Sequence, residues 1–312
     1  MPLAVLGISH APLIGFNDPD AETLAQVEHA FDTARAFVAD FDPELVVLFA
    51  PDHYNGVFYD LMPQFCIAMA ANSVGDWNTT GGPIAVDREA ARDLAKASLN
   101  ADLDVAISER LEVDHGFAQP LDVIFGGIDR VATVPIFINS VAAPLGPIRR
   151  ARALGAAVGE AAARLDRRVL LIGSGGLSHD PPIPELEGAP ADVAERLIAG
   201  RGVSPAARKA RETMVTRTSA EFVSGTAKIM SLNMQWDEQF LDILASGQLS
   251  QIDAWENDDM TATAGHACHE VRTWLAAYSA LATQGGYSMT SRFYKPIPEW
   301  IAGFAVTTAI AP

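Results

Sequence analysis

The sequence predicts an α/β protein in which a mostly parallel sheet is covered by helices on both faces, with a largely helical C-terminal third. Over the first two thirds of the 312 residues, short apolar runs alternate with amphipathic segments. Some runs, such as ELVVLFA at 44–50, are apolar at nearly every position, as strands buried on both faces must be. Taken in order, 3–8 reads as a strand. Residues 21–40 read as a helix with Leu24, Val27, Phe31, Phe37 and Val38 apolar, and 44–50 as a strand. Then come a helix at 85–100, short strands at 104–107 and 134–138, an Ala/Arg-rich helix at 147–165 and a strand at 168–173. From about residue 191 the pattern is helical up to a closing segment at 301–308. The Pro/Glu-rich stretch 181–190 is short enough for a surface loop. No repeat or linker divides the chain, so 1–312 is expected to form one α/β domain.

Composition narrows the function. Lys+Arg 22 against Asp+Glu 39 gives a net charge of −17, a field that repels nucleic acid and anionic membrane. An anionic ligand must then be captured by local donors. Cys66 and Cys268 make no disulfide framework and fit a reducing cytoplasm. The opening residues lack a charged n-region and a long apolar run, and no stretch approaches the roughly 18 apolar residues of a membrane span. The expectation is a cytoplasmic protein.

The histidines carry the chemistry. His10 ends the first strand (LGISHAPL), His53 follows the second (LFAPDHYNG), and His179 follows a later strand through a glycine-rich turn (LIGSGGLSHD). Ligands of parallel sheets bind beyond the carboxyl ends of the strands, where these three would converge. His115 sits in the loop-like LEVDHGFAQP. Any one of them alone would suit a turn cap; together, in loops near strands, they suggest a site. His29 lies on a polar helix face.

A carboxylate is needed beside them. Residues 265–281 (GHACHEVRTWLAAYSAL) read as a helix whose apolar stripe is Ala267, Val271, Trp274, Leu275, Tyr278 and Leu281. Glu270 lies at the edge of that stripe, His269 projects away from it, and His266 is a weaker candidate ligand. A carboxylate facing a core needs a cation, a proton or hydrogen-bond donors, and a metal or a nearby arginine would meet that need. Two imidazoles and a carboxylate suit non-haem iron(II) with open positions, and zinc equally, as in a hydrolase. The GSGGLSH glycines match neither the dinucleotide fingerprint nor the P-loop. They imply close backbone approach to a ligand, with Ser174 or Ser178 donating hydrogen bonds.

The segments ISHAPLIGF, ELVVLFAPDHYNGVFYDLMPQFC, VDHGFAQPL, VPIFINSVA, GSGGLSHDPPIPEL and RFYKPIPEWIAGF resemble those of the class III extradiol ring-cleavage dioxygenases, related to the protocatechuate 4,5-dioxygenase catalytic subunit. The resemblance runs from Leu6 to Phe304. It implies a mononuclear iron(II) held by His10, His53 and Glu270, and an acid–base pair at His115 and His179. It also implies O2 and a catechol with a propionate tail as substrates, and a homo-oligomer. Arg292 and Lys295 are candidates for the carboxylate of that tail, and Phe58, Tyr59 and Phe117 for the walls of the ring pocket. A zinc-dependent hydrolase with the same ligands and a non-catalytic binding protein of the same fold are the competing readings.

Overall fold

The computed structural model describes residues 2–312. In chain order the elements are β1 Leu3–Ile8, α1 Ala21–Phe41, β2 Leu45–Ala50, β3 Phe65–Ala68, β4 Ala71–Ser73, β5 Gly82–Pro83 and α2 Arg88–Asn100. There follow β6 Ala106–Ser108, β7 Leu111–Val113, α3 His115–Phe125, β8 Thr133–Ile138, α4 Arg149–Ala162 and β9 Val169–Ser174. The C-terminal part comprises α5 Ala191–Ala199, α6 Pro205–Val223, α7 Met234–Ser246, α8 Asn257–Ala264, α9 Val271–Ala282, β10 Ser288–Ile297 and β11 Ala302–Ile310.

The main sheet runs β10-β11-β1-β9-β2-β8-β3-β6. Its centre, β1-β9-β2-β8, is parallel, and β11 and β3 flank it antiparallel. A smaller sheet, β5-β4-β7, lies apart. Strand alternation divides the core as the apolar runs require. Leu3, Val5, Val47, Phe49, Val134, Ile136 and Leu171 pack with α2, α4, α7 and α9. Ala4, Leu6, Ile8, Val46, Leu48, Leu170 and Ile172 pack with α1 and α3 on the other face.

The mostly parallel sheet between helices and the helical additions agree with the sequence reading, but the closing segment differs. Residues 288–310 form a β-hairpin that adds two strands beside β1. Only β11 is buried along nearly its whole length; β10 is half-exposed at the sheet edge, so its alternation is too weak to read as a buried strand. The predicted helix at 265–281 starts later, at α9, after a 3-10 turn, Cys268–Glu270. Among the described residues no helix is long and apolar enough to cross a membrane.

Close backbone contact fixes α9 over the strands. An added Cβ at Gly7 would sit 2.3 Å from the Trp274 ring, and one at Gly173 would sit 2.7 Å from the Trp274 Cα. Trp274 Nε1 donates to the Gly175 carbonyl, so the loop after β9 and the start of α9 form one unit.

Candidate active site

The carboxyl ends of β1, β2 and β9 meet at one sheet edge, and their loops deliver His10, His53 and His179 there. His115 is the first residue of α3, not a loop residue as its surroundings suggested. Glu270 closes the 3-10 turn before α9 and is buried.

All four imidazoles are held at Nδ1, which turns Nε2 inward. His53 Nδ1 lies 3.0 Å from Asp114 Oδ2, and His115 Nδ1 lies 2.7 Å from Asp76 Oδ2. His179 Nδ1 donates to the Leu177 carbonyl at 2.8 Å. His10 Nδ1 lies 2.9 Å from Ser174 Oγ, whose own hydrogen goes to the Gly116 carbonyl at 2.7 Å, so His10 must be the donor. That carbonyl is free for a local reason. Pro120 stands four residues on in α3 and has no N–H to offer it.

Asp114 does two jobs. Its Oδ1 caps α3 by accepting from Gly116 N, while Oδ2 accepts from His53 N, His53 Nδ1 and Asn55 Nδ2. This carboxylate–histidine arrangement fixes ring and tautomer, as it does for metal-bound histidines.

Glu270 lies at the focus. Its carboxylate oxygens are 3.0 Å from His53 Nε2, 3.3 Å from His179 Nε2 and 3.4 Å from His10 Nε2. Gly176 N also donates to it at 2.7 Å. The partners are imidazoles, not an arginine. Inward lone pairs of several imidazoles beside a buried carboxylate repel one another unless a cation or a proton lies between them. Without a metal the burden falls on protons. Burial opposes charge on His53, but Asp114 and Glu270 outweigh it and hold its pKa well above the ordinary value. For His179 burial again opposes charge, and Glu270 raises its pKa despite it. Burial also works against charge on Glu270, but His179 and His10 draw its pKa well below the usual range. Burial lowers His10 to about 3, which keeps it a neutral donor. The donor set fits a divalent metal. His10, His53 and His115 also bring nitrogen atoms within 4.8 Å of one another.

The glycines after β9 serve the carboxylate itself. A Cβ at Gly175 would lie 2.8 Å from the Glu270 Cβ, and one at Gly176 would lie 2.8 Å from His179 Cε1. The close approach expected there is to the protein's own residues. Ser178 likewise faces inward: its N–H and hydroxyl both donate to the buried Asp237, which also accepts from Tyr294. Ser178 thus anchors the loop that carries His179.

Above the imidazoles lies a cavity walled by Leu13, Trp77, Pro181–Pro184, Arg211, Val215, Trp300 and Ile301. The 181–190 stretch is therefore partly a cavity wall. The structure does not bring the other expected pocket residues here. Phe58 is buried with Tyr54, Ala142 and Leu197, and Phe117 points from α3 into the core. Tyr59 donates to the Ala143 carbonyl at 2.8 Å. Arg292 pairs with Asp242, and Lys295 donates to Gln26, both away from the cavity. Neither cation lines the cavity over the histidines. His266 is exposed and tied to Asp180, and His269 is buried against Thr261. Trp77, Arg211 and Trp300 were missed. The sequence signals only Trp300, which lies within the resembling closing segment; nothing along the chain singles out Trp77, or Arg211 on a helix without an apolar stripe.

The model of the family described as the catalytic LigB subunit of aromatic ring-opening dioxygenase matches residues 4–305. The chain belongs to this LigB family. A Rhodococcus sp protein named 2,3-dihydroxyphenylpropionate/2,3-dihydroxicinnamic acid 1,2-dioxygenase is 60% identical over 100% of this chain and 99% of its own length. Proteins of the same name from Rhodococcus jostii and Paraburkholderia phymatum are 56% and 52% identical, covering 100% and 99% of this chain and 99% and 98% of their own lengths. As a LigB-family member the chain is an extradiol dioxygenase that opens a catechol ring with O2 in aromatic catabolism. The family implies a metal, and the histidine cluster is able to bind one.

Proposed function

We propose that the metal is iron(II), held by His10, His53 and Glu270, and that the substrate is 3-(2,3-dihydroxyphenyl)propionate or its close cinnamate analogue. The observation that carries this reading is the convergence of His10, His53 and His179 Nε2 on one buried carboxylate beneath an apolar cavity. The names of the full-length relatives supply the substrate class. Buried free cysteines, Cys66 and Cys268, favour a reducing cytoplasm as the working compartment.

Iron(II) held by His10, His53 and Glu270 would supply the redox chemistry that activates O2 toward a bound catechol. The chain's own residues manage protons and water. The Nε2 of His179 is the base for a catechol hydroxyl proton. Its Nδ1 donates to the Leu177 carbonyl, which leaves the Nε2 lone pair facing the site to accept that proton. His115 is the acid for the departing oxygen. Its Nδ1 is bound to Asp76, so a proton at Nε2 gives an imidazolium already paired with a carboxylate. The rings of His53 and His115 stack at 4.6 Å between centroids, a proximity that supports His115 acting next to the metal. Trp77, Trp300 and the prolines at 181, 182 and 184 exclude water from the ring.

The test is anaerobic reconstitution with Fe(II), followed by O2 and a panel of catechols. Stoichiometric O2 uptake with a yellow ring-opened product is expected. Restoration of full activity by Zn(II), or no O2 uptake with any catechol, would refute the reading.

A further inference from the structure

With 39 acidic and 22 basic residues, the long-range field of this chain repels an anionic substrate. A carboxylate-tailed catechol therefore needs a local cluster of cations. The cavity over the histidines shares Trp77, Pro182, Ile183, Pro184 and Arg211 with a larger outer recess under α5 and α6. That recess also carries Arg196 and Arg208.

These three arginines differ from their neighbours. Arg201 pairs with Asp60, Lys209 with Glu212 and Arg217 with Glu221. Among the described residues, Arg208 and Arg211 donate to main-chain carbonyls: Arg208 Nη1 to Val74 at 3.0 Å, and Arg211 Nη1 to His53 at 3.2 Å. The Arg208 Nε is buried with no partner. The carboxylates of the recess are already engaged, Asp76 by His115 and Glu212 by Lys209. Arg196 is exposed, but Arg208 and Arg211 are half-buried without carboxylate partners, an arrangement that an anion in the recess would favour.

Helical spacing explains how the inner cation gets there. Arg208, Arg211, Val215, Ser219 and Phe222 fall on one face of α6. Val215 lines the cavity, Ser219 donates to the Glu299 carbonyl, and Phe222 packs on the core. These contacts lay α6 across the cavity mouth with Arg211 over the His53 loop.

We propose that Arg211 anchors the carboxylate on the substrate's side chain, and that Arg208 and Arg196 make the outer recess an anion-collecting approach to it. The proposal rests on the ring-cleavage reading and adds its specificity determinant. A propionate carboxyl carbon stands about 4 Å from the ring by ordinary bond lengths, so a ring over the imidazoles reaches a cation at the cavity rim. A planar guanidinium matches a carboxylate with two parallel hydrogen bonds.

The test compares 3-(2,3-dihydroxyphenyl)propionate with 3-propylcatechol, of the same length but uncharged, on Fe(II)-loaded wild type, Arg211→Met and Arg211→Lys of matched metal content. Arg211→Met is expected to raise KM for the propionate about 10- to 100-fold, at least tenfold more than for 3-propylcatechol, with Arg211→Lys recovering part of the loss. In wild type, raising salt should raise KM for the propionate only. Equal losses on both substrates would show that Arg211 acts only through the His53 loop and would overturn the anchor. Equal wild-type KM values with no salt dependence would overturn it without any variant. Wild type that opens neither catechol would remove the ring-cleavage reading itself.

Discussion

Asp114→Asn separates a helix cap from a metal-orienting group, because one carboxylate does both. Oδ2 receives three donors and Oδ1 one, from Gly116 N. The asparagine can keep its oxygen at the three-donor position only by turning its amide toward the Gly116 N–H. That N–H then loses its partner in a buried place, which costs about 1–3 kcal/mol of stability. The His53 Nδ1–H bond survives but loses its charge, and the imidazole becomes a weaker donor. Loss of such an orienting carboxylate costs about 10–100-fold in metal affinity, or about 1.4–2.8 kcal/mol. Urea unfolding of the metal-free protein reads the first effect, and anaerobic competition for Fe(II) against a chromogenic chelator reads the second. Lost stability with unchanged Fe(II) affinity would refute the orienting role and leave Asp114 a cap.

Three further outcomes follow from the site. His115→Gln and His179→Gln should each retain Fe(II) and lose about 10²–10⁴-fold in ring-opening rate; single-turnover O2 consumption at wild-type speed would refute the acid–base assignment. Gly175→Ala drives a Cβ to 2.8 Å from Glu270, so thermal unfolding should show about 1–3 kcal/mol of destabilisation together with weaker Fe(II) binding. Unchanged values of both would show that the loop yields freely. For pH, burial and the Arg272 charge lower His269 to about 3. Its folded pKa lies below the unfolded 6.5, so the unfolded chain binds the proton first. Stability is full above 6.5 and falls by about 1.4 kcal/mol per pH unit toward 3. His269→Gln should flatten urea-derived stability between pH 6 and 4 by about that slope, and an unaltered slope would assign the proton elsewhere.

Much of the scaffold was legible because its strands are buried on both faces. Runs such as LVVLFA at Leu45–Ala50 and the strand at Leu3–Ile8 have no polar alternative, and their ends locate His10 and His53 at one sheet edge. The edge hairpin was not legible, since half-exposed β10 carries mixed residues whose partner, β11, only the fold supplies. Glu270 was visible as a carboxylate at the border of an apolar stripe. What the sequence by itself determined was the inventory: histidines after strands, one carboxylate near a core, and a family pattern selecting a metal, O2 and a catechol. Tertiary structure alone decided which neighbours complete that inventory. Asp76 and Asp114 acquire their roles from hydrogen bonds to His115 and His53, and Ser174 from a carbonyl that Pro120 leaves free. It also placed Arg211, not Arg292, at the rim of the cavity. The reason is physical: charge type is written along the chain, but which charge lacks a partner at a cavity rim depends on how helices and strands pack. Arg292 finds Asp242, whereas Arg211 finds only a carbonyl.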